Sequence, residues 1–270
     1  ITLRSIFDGM ESCHGELYCM ILDTTCSRIL LLLGEEKTKR LQQLHVLIVG
    51  LGAVGSFAIE ALARTGIGHL HLVDFDHIKS SNINRQLYAL QTTIGLQKID
   101  VAKERIAQIN PCIQVYTQSL FCDKETADPL FETHYDYVID AIDSVNPKVA
   151  LIAAAMKHNV PLISSMGTAG RMDPTQLQCT DITEVRGCTL SRHVRKKLHK
   201  QGIRTGFQAV WSTEPFQQTL QNSDPEMKDF QEQEFFQKGR PRAPLPTLIF
   251  VPASAGLLLA SRVVQHFLEE

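Results

Sequence analysis

An apolar run at residues 46–49 leads directly into a turn that contains Gly50, Gly52 and Gly55. The run is typical of a strand buried on both faces, and residues 54–65 continue with helical periodicity. A strand, a glycine-rich turn and a helix in this order form the usual context for binding a nucleotide phosphate, because backbone N–H groups at the helix start face the anion. The three glycines are therefore predicted to bind the phosphates of a nucleotide.

Asp74 follows the second predicted strand, residues 69–73, at about the distance of twenty residues that separates the glycines from the ribose-binding acid in dinucleotide folds. A carboxylate at this place can accept hydrogen bonds from the ribose of NAD or, equally, of ATP. The glycines and Asp74 thus predict an adenine nucleotide and leave the reaction open.

Three further side chains, Asn82, Arg85 and Lys98, favour nucleotidyl transfer over hydride transfer. An arginine and a lysine can neutralise a triphosphate, and an amide can orient it, whereas a dehydrogenase has no need of them. The segment from Asp74 to Lys98 closely resembles the adenylating enzymes of the ubiquitin-activating superfamily, the MoeB/ThiF/HesA group. This resemblance extends over residues 28–270.

The resemblance implies roles for these residues. Asn82 and Arg85 are expected to orient the phosphates of ATP, and Lys98 to stabilise charge on the α-phosphate and pyrophosphate. Asp143, with Ser144 beside it, is expected to position Mg²⁺, for which a carboxylate is a suitable ligand; either residue could instead cap the following helix. Arg28 is expected to reach the ATP of a partner subunit, which implies a homodimer, or else to be an ordinary surface arginine.

The chain has 270 residues, of which 44% are hydrophobic and 21% charged, and its net charge is −2. Such a balance predicts no general attraction to nucleic acid or lipid, so contact with a polyanion would need a local basic patch. The seven cysteines are scattered and contain no Cys-x-x-Cys pair, which favours reduced thiols in the cytoplasm and predicts no structural zinc.

Alternating strand and helix patterns predict an α/β fold, a Rossmann-like doubly wound sheet of the ThiF/MoeB type with mixed strands in the C-terminal half. We expect an extension at 1–25 and one domain at 26–270. Its nucleotide-binding half is 26–165, and its substrate-binding half, 166–270, has a mobile loop at 213–242. The predicted strands are 46–49, 69–73, 113–117, 137–141, 161–164, 177–180, 207–212 and 248–251. The predicted helices are 26–44, 54–65, 96–109, 123–131, 147–158, 190–198 and 255–268.

The apolar run at 245–264 is the one candidate for a membrane span. It contains Pro246, Pro252 and Arg262, so a strand followed by a buried helix is favoured and no stable membrane insertion is expected. The glycine-rich turn at 164–176 either lets a substrate lie against the backbone or forms a hairpin. Cys188 could be a nucleophile, but a structural thiol is favoured.

Residues 186–204 contain a basic helix with Leu190, Val194 and Leu198 on one side, and no acidic residue lies between Glu184 and Glu214. A dense positive face suits the phosphates of an RNA backbone, although a solvated helix would have the same composition. The candidate RNA-binding residues are Arg192, Arg195, Lys196, Lys197 and Lys200.

Segments at 61–68, 138–145, 166–176 and 250–257 resemble the tRNA threonylcarbamoyladenosine dehydratase branch of the superfamily. The resemblance implies that ATP adenylates the threonyl carboxylate of a modified adenosine beside the tRNA anticodon. A nitrogen of the side chain then attacks the activated carbonyl, and AMP leaves as the ring closes. One alternative is adenylation of the C-terminus of a ubiquitin-like sulfur carrier, with a sulfur-transfer or carrier protein as partner. Another is a non-catalytic or NAD-binding Rossmann protein.

Overall fold

The computed structural model describes residues 26–217 and 245–269. The predicted N-terminal extension and most of the predicted loop at 213–242 lie outside these residues. The helices are α1 (Ser27–Gln43), α2 (Gly55–Thr65), α3 (Lys98–Ile109), α4 (Val145–Lys157), α5 (Thr189–His199) and α6 (Phe250–Glu269). The strands are β1 (His45–Val49), β2 (His69–Val73), β3 (Gln114–Gln118), β4 (Tyr137–Asp140), β5 (Leu162–Ser165), β6 (Leu177–Asp181) and β7 (Gln208–Ser212).

The described strands form one sheet in the order β3-β2-β1-β4-β5-β7-β6. All neighbours are parallel except β6, which is antiparallel to β7. The predicted doubly wound α/β sheet with a mixed C-terminal half is confirmed. Because β7 lies between β5 and β6, the hairpin interpretation of the turn at 164–176 is wrong. The strand order reverses between β1 and β4, and ligands of open α/β sheets bind at the carboxyl ends of strands at such a point.

The core has two layers, one on each face of the sheet. Alternate residues of β1 divide between them: Val46 and Ile48 pack with α2, α3 and α6, whereas Leu47 and Val49 pack with α4 and α5. This is the burial on both faces that the continuous apolar run of the first strand predicts.

The predicted strand at 248–251 is wrong, because α6 begins at Phe250. Val251, Ala255 and Leu259 are buried at the four-residue spacing of a helix. Nearly all of their neighbours are apolar too, so this periodicity is not visible in the sequence. The helix packs so closely on α2 that a Cβ at Gly256 would lie 2.3 Å from the carbonyl oxygen of Val54. Among the described residues, none of the helices is both long and apolar enough to cross a membrane.

The predicted helix at 123–131 is also wrong, since only a short 3-10 helix, Pro129–Glu132, occurs there. Asp123 explains the difference: its carboxylate accepts hydrogen bonds from the backbone N–H of Glu125 at 2.9 Å and of Thr126 at 3.1 Å. Aspartate offers the backbone an alternative to the helix in this way.

Two histidines in β2 should make stability depend on pH. Burial and the neighbouring His45 lower the pKa of His69, and burial lowers that of His71. The unfolded chain therefore takes up protons that the folded chain resists, so stability is fully present above about pH 6.5 and is lost as the pH falls below it. We expect the free energy of unfolding in urea to fall less between pH 7.5 and 5.5 in His69→Gln than in the parent. An equal fall in both proteins would contradict this, and His193→Gln, at an exposed position, is the control.

Candidate active site

The glycine turn lies between β1 and α2 and is shaped by close backbone contacts. Gly50 has a φ of +95°, and a Cβ there would lie 2.8 Å from the carbonyl oxygen of Ala141, which follows β4. A Cβ at Gly55 would lie 1.8 Å from the oxygen of Gly50. At Gly52 the nearest atom to a Cβ would be Nε2 of Gln86, at 3.8 Å. The first and third glycines are thus required by the fold, whereas a Cβ at the second would make only an ordinary contact.

Gly52 and Gly55 should respond differently to alanine. Gly55→Ala clashes with backbone and is expected to lower the melting temperature and abolish ATP binding. Gly52→Ala has room for its methyl group, so stability should change by less than about 0.5 kcal/mol. The methyl group would occupy the space where a phosphate approaches, and the Kd for ATP should rise about tenfold, or 1.4 kcal/mol. Thermal unfolding and ATP titration measure both effects; unchanged ATP affinity in Gly52→Ala would contradict a phosphate site at this turn.

Asp74 follows β2 and is buried beside the glycine turn. Its carboxylate accepts hydrogen bonds from the backbone N–H of Leu51 at 2.6 Å and of Asp76 at 2.8 Å. Burial raises its pKa, although Lys98 and the two N–H donors oppose the shift. The bond to Leu51 fixes the turn to the end of β2, so this residue shapes the turn in addition to its predicted contact with the ribose.

Asn82 and Arg85 lie in a loop that is fixed to the start of α2. Leu87 donates its N–H to Oγ of Ser56 at 3.2 Å, and the hydroxyl of Tyr88 donates to the Ser56 carbonyl at 3.2 Å. Asn82 is buried, and its Oδ1 accepts the N–H of Lys79 at 3.1 Å. The Arg85 guanidinium donates to the carbonyl of Ser81 at 2.8 Å and to Oδ1 of Asn84 at 2.9 Å.

Lys98 is the first residue of α3 and is 5% exposed. Its Nζ lies 3.0 Å from Oδ2 of Asp76, and its backbone N–H donates to the Asp76 carbonyl at 3.1 Å. Asp76 was not predicted as a site residue, although it stands two positions after Asp74. Asp76 is partly exposed and holds the ammonium group near the buried Asp74. The positive charge of Lys98 acts to lower the pKa of Asp74, against the larger effect of burial.

Asp143 and Ser144 lie between β4 and α4. The neighbouring Ala141 donates its N–H to the carbonyl of Val49 in β1 at 2.9 Å, so this loop runs beside the glycine turn. Ser144 is the N-cap residue of α4, but its side chain makes no capping bond and donates to Oδ1 of Asp143 at 3.2 Å. The capping interpretation is therefore not supported for Ser144, and Asp143 is exposed.

These residues fit a nucleoside triphosphate. Gly52 has room for a Cβ beside the backbone of the turn, Asp74 is buried at the end of β2, and Lys98 and Arg85 carry positive charge on the next elements. Asp143 offers the oxygen ligand that Mg²⁺ prefers beside phosphates. No group of three or more His, Cys, Asp or Glu side chains in the described part of the chain is placed to hold a metal ion.

Arg28 lies on the exposed first turn of α1, which bends at Gly34 with a φ of +78°. In the described part of the chain, no hydrogen bond or ion pair in the structure joins it to the other candidate residues. Within one chain, the structure therefore does not bring Arg28 together with the glycine turn.

The basic helix is α5, and it lies beside the candidate phosphate site. Val194 and Leu198 are buried against α4, and Nζ of Lys197 donates to Oδ1 of Asn146 in the first turn of α4, three residues after Asp143. Arg195 is half-buried and approaches the carbonyl of Thr183 at 3.5 Å. The other candidate RNA-binding side chains, Arg192, Lys196 and Lys200, are exposed.

Cys188 is buried at the N-terminus of α5. Its sulfur accepts the N–H of Ser191 at 3.5 Å and of Gly167 at 3.4 Å, which favours the structural interpretation over a nucleophile. The buried Arg171 donates to the carbonyl of Glu214, and Glu214 accepts the N–H of Met172. This pairing fixes the glycine-rich turn to the end of β7 and was not predicted from the sequence.

Comparison with known proteins decides the family. The model of the ThiF family matches residues 26–270. The chain belongs to the ThiF family. Among ThiF-family relatives, the tRNA threonylcarbamoyladenosine dehydratase of Bacillus subtilis (strain 168) is 39% identical over 244 residues, 90% of this chain and 94% of that protein. The enzyme of the same description from Escherichia coli (strain K12) is 41% identical over 190 residues, 68% of this chain and 71% of that protein.

A crystal structure of the E. coli tRNA N6-threonylcarbamoyladenosine dehydratase in complex with ATP has the same fold. It matches with a TM-score of 0.80 at 33% identity, covering 92% of this chain and 95% of that chain. The predicted resemblance to this branch of the ThiF family is confirmed. The roles of the individual residues described above stay predictions.

Proposed function

We propose that this ThiF-family chain is an ATP-dependent tRNA threonylcarbamoyladenosine dehydratase. The observation that carries the proposal is the candidate site at the carboxyl ends of β1, β2 and β4, in a chain that matches dehydratase relatives over most of its length. In this proposal the glycine turn binds a phosphate, Lys98 and Arg85 bring positive charge to it, and Asp143 offers a metal ligand.

The proposed reaction starts from a carboxylate, which is a poor electrophile because its leaving group would be oxide. ATP supplies the better leaving group: the threonyl carboxylate oxygen bonds to the α-phosphorus and pyrophosphate leaves. The side-chain nitrogen next bonds to the carbonyl carbon, loses its proton and expels AMP, and proximity favours this ring closure. The protein binds, orients and neutralises charge, so no protein nucleophile is required.

The residues divide this work by position. Asp74 is placed for the ribose, Asn82 and Arg85 for the phosphates, and Lys98 for the charge that develops at the α-phosphate. Asp143, with Ser144, would hold Mg²⁺, which balances phosphate charge when bound. The absence of a structural zinc and a cytoplasmic location are further parts of the proposal, and the five described cysteines form no disulfide.

The RNA is proposed to lie on α5. Lys197 bonds to Asn146 in the first turn of α4, three residues after Asp143, so the exposed basic residues of α5 would hold a tRNA close to the loop that carries Asp143. Phosphate contacts of this kind position a nucleic acid and carry no sequence information.

Activation of a sulfur-carrier protein is the second candidate. Both candidates adenylate a carboxylate, so the nucleotide site does not separate them. The basic face of α5 suits RNA phosphates rather than a protein C-terminus, and the whole-length relatives are dehydratases. A sulfur-transfer partner also remains a proposal.

Nucleotide turnover tests the choice. The protein is incubated with ATP and Mg²⁺, with threonylcarbamoyl-modified tRNA, unmodified tRNA of the same sequence, or a small carrier protein ending in Gly-Gly. Of these three substrates, we expect only the modified tRNA to cause release of AMP. AMP release or pyrophosphate exchange with the carrier protein alone would favour the second candidate.

A homodimer is the assembly we propose. Leu31 and Leu32 on α1 are 84% and 83% exposed, and Arg28 lies one turn away on the same helix. The two adjacent leucines form a contiguous apolar surface, the kind of feature that marks an association site when it is large. We propose that the partner covers α1 and that its nucleotide site then lies within reach of Arg28.

Mixing two inactive variants should restore activity if Arg28 acts across the dimer. Arg28→Ala and Lys98→Ala homodimers each lack one residue in every site, but a mixed dimer contains one complete site. We expect AMP formation to reappear after the two variants are co-expressed and purified as mixed dimers. If activity does not reappear in proven mixed dimers, Arg28 acts within its own subunit, and if the Arg28→Ala homodimer is already active, Arg28 has no role in the reaction.

A further inference from the structure

Three buried polar side chains lie beneath the loop that carries Asp143. Lys148 on α4, Asp140 at the end of β4 and Ser164 on β5 are each 0% exposed. Nζ of Lys148 donates to Oδ2 of Asp140 at 2.7 Å and to Oγ of Ser164 at 3.1 Å. The Ser164 hydroxyl donates to the same carboxylate oxygen at 2.6 Å. The second oxygen, Oδ1, accepts the backbone N–H of Ile142 at 3.1 Å.

Stability alone does not account for this network. Removing an ammonium and a carboxylate from water is costly, and a well-packed apolar pair of similar volume is often as stable or more stable. Lys148 shares its helical face with the buried Leu151, Ile152 and Ala155, where an apolar residue would suit the core. What the ion pair adds is a hydrogen-bonded connection from α4 to the loop after β4.

We propose that Lys148 is a positioning residue that acts through Asp140. By holding the carboxylate that accepts the Ile142 N–H, it fixes the backbone of residues 141–144 and so places Asp143 beside the glycine turn. The same loop packs against the glycine turn. The N–H of Ala141 donates to the carbonyl of Val49, and the Ala141 carbonyl lies so close to Gly50 that a Cβ added there would be 2.8 Å from its oxygen. The inference rests on the proposed role of Asp143 in the ATP site.

A double variant and a single variant test the role. Asp140→Asn with Lys148→Met replaces the ion pair by neutral groups of similar size, whereas Lys148→Met alone would leave a buried carboxylate without its cation. Ser164→Ala removes one hydrogen bond and keeps the ion pair. The matched control is Glu60→Gln with Arg105→Met, which removes the ion pair between α2 and α3, at 2.9 Å.

Amide hydrogen exchange in the protein without nucleotide is the first measurement. We expect exchange at residues 141–144 to rise about tenfold in the double variant and less in Ser164→Ala, because the loop opens more often. The control should leave it unchanged. If the double variant does not fold, Ser164→Ala carries the test.

The second measurement is the Mg²⁺ concentration that half-saturates ATP binding, which should rise in the same variants. Unchanged exchange at 141–144 in a folded variant would overturn the proposal. Faster exchange with an unchanged Mg²⁺ requirement would also overturn it, because the network would then be only structural. Neither measurement uses tRNA, so a parent protein that binds ATP and leaves modified tRNA unchanged would overturn the proposed function alone.

Discussion

Replacing Lys98 with alanine is expected to lower kcat by about 10²–10³-fold, the effect of removing one preorganised donor from a site where charge develops. The ammonium group is nearly buried and is held 3.0 Å from Asp76, so it needs little reorganisation to meet charge at the α-phosphate. The KM for ATP should change less than kcat, because the group acts more strongly on the transition state than on bound ATP.

The fold should survive this substitution. The Asp76 side chain is 42% exposed, so water can hydrate it after the lysine is lost. We therefore expect the free energy of unfolding to fall by only about 1–2 kcal/mol. Lys103→Ala, an exposed position on the same helix, is the control. Single-turnover measurements of AMP formation compare the proteins; unchanged kinetics in folded Lys98→Ala would remove this lysine from the mechanism.

Reversing two charges on α5 should weaken tRNA binding strongly. Lys196 lies in the last turn of α5 and Lys200 is its C-cap residue; both are exposed, and the separation of four residues places them on the same side of the helix. For Lys196→Glu with Lys200→Glu, we expect the Kd for tRNA to rise about 10- to 100-fold at low salt. The slope of the logarithm of the binding constant against the logarithm of the salt concentration should become shallower by about one for each lysine.

The matched control reverses two exposed lysines elsewhere, Lys103→Glu with Lys124→Glu, and makes the same change in net charge. Filter binding at several salt concentrations gives the affinity and the slope. If both double variants lose the same affinity, net charge is responsible and α5 is only a solvated helix. ATP affinity should be unchanged in both.

Most elements of residues 26–165 were predictable because the signals for them are local. The apolar run before Gly50 predicts a doubly buried strand, and β1 has that burial. The glycine spacing predicts close backbone contacts, which are found at Gly50 and Gly55. The two wrong elements, 123–131 and 248–251, are places where a side-chain hydrogen bond or a dense apolar run hides the periodicity.

Contacts between distant segments were not predictable in the same way. The pair of Arg171 and Glu214 joins loops far apart in the chain, and no local pattern marks it. Lys148 is visible in the sequence as a lysine on the apolar face of the predicted helix α4. Its partners Asp140 and Ser164 lie on β4 and β5, and no local pattern indicates that they meet it. The meeting of α5 with the start of α4 likewise depends on the fold.

The modified nucleoside itself provides the most direct test. The protein is incubated with ATP, Mg²⁺ and threonylcarbamoyl-modified tRNA, the tRNA is digested under mild conditions, and the nucleosides are weighed by mass spectrometry. The proposal predicts that the modified adenosine loses one molecule of water, only when ATP is present, with one AMP formed for each nucleoside converted. A nucleoside of unchanged mass after incubation with protein that binds ATP would contradict it.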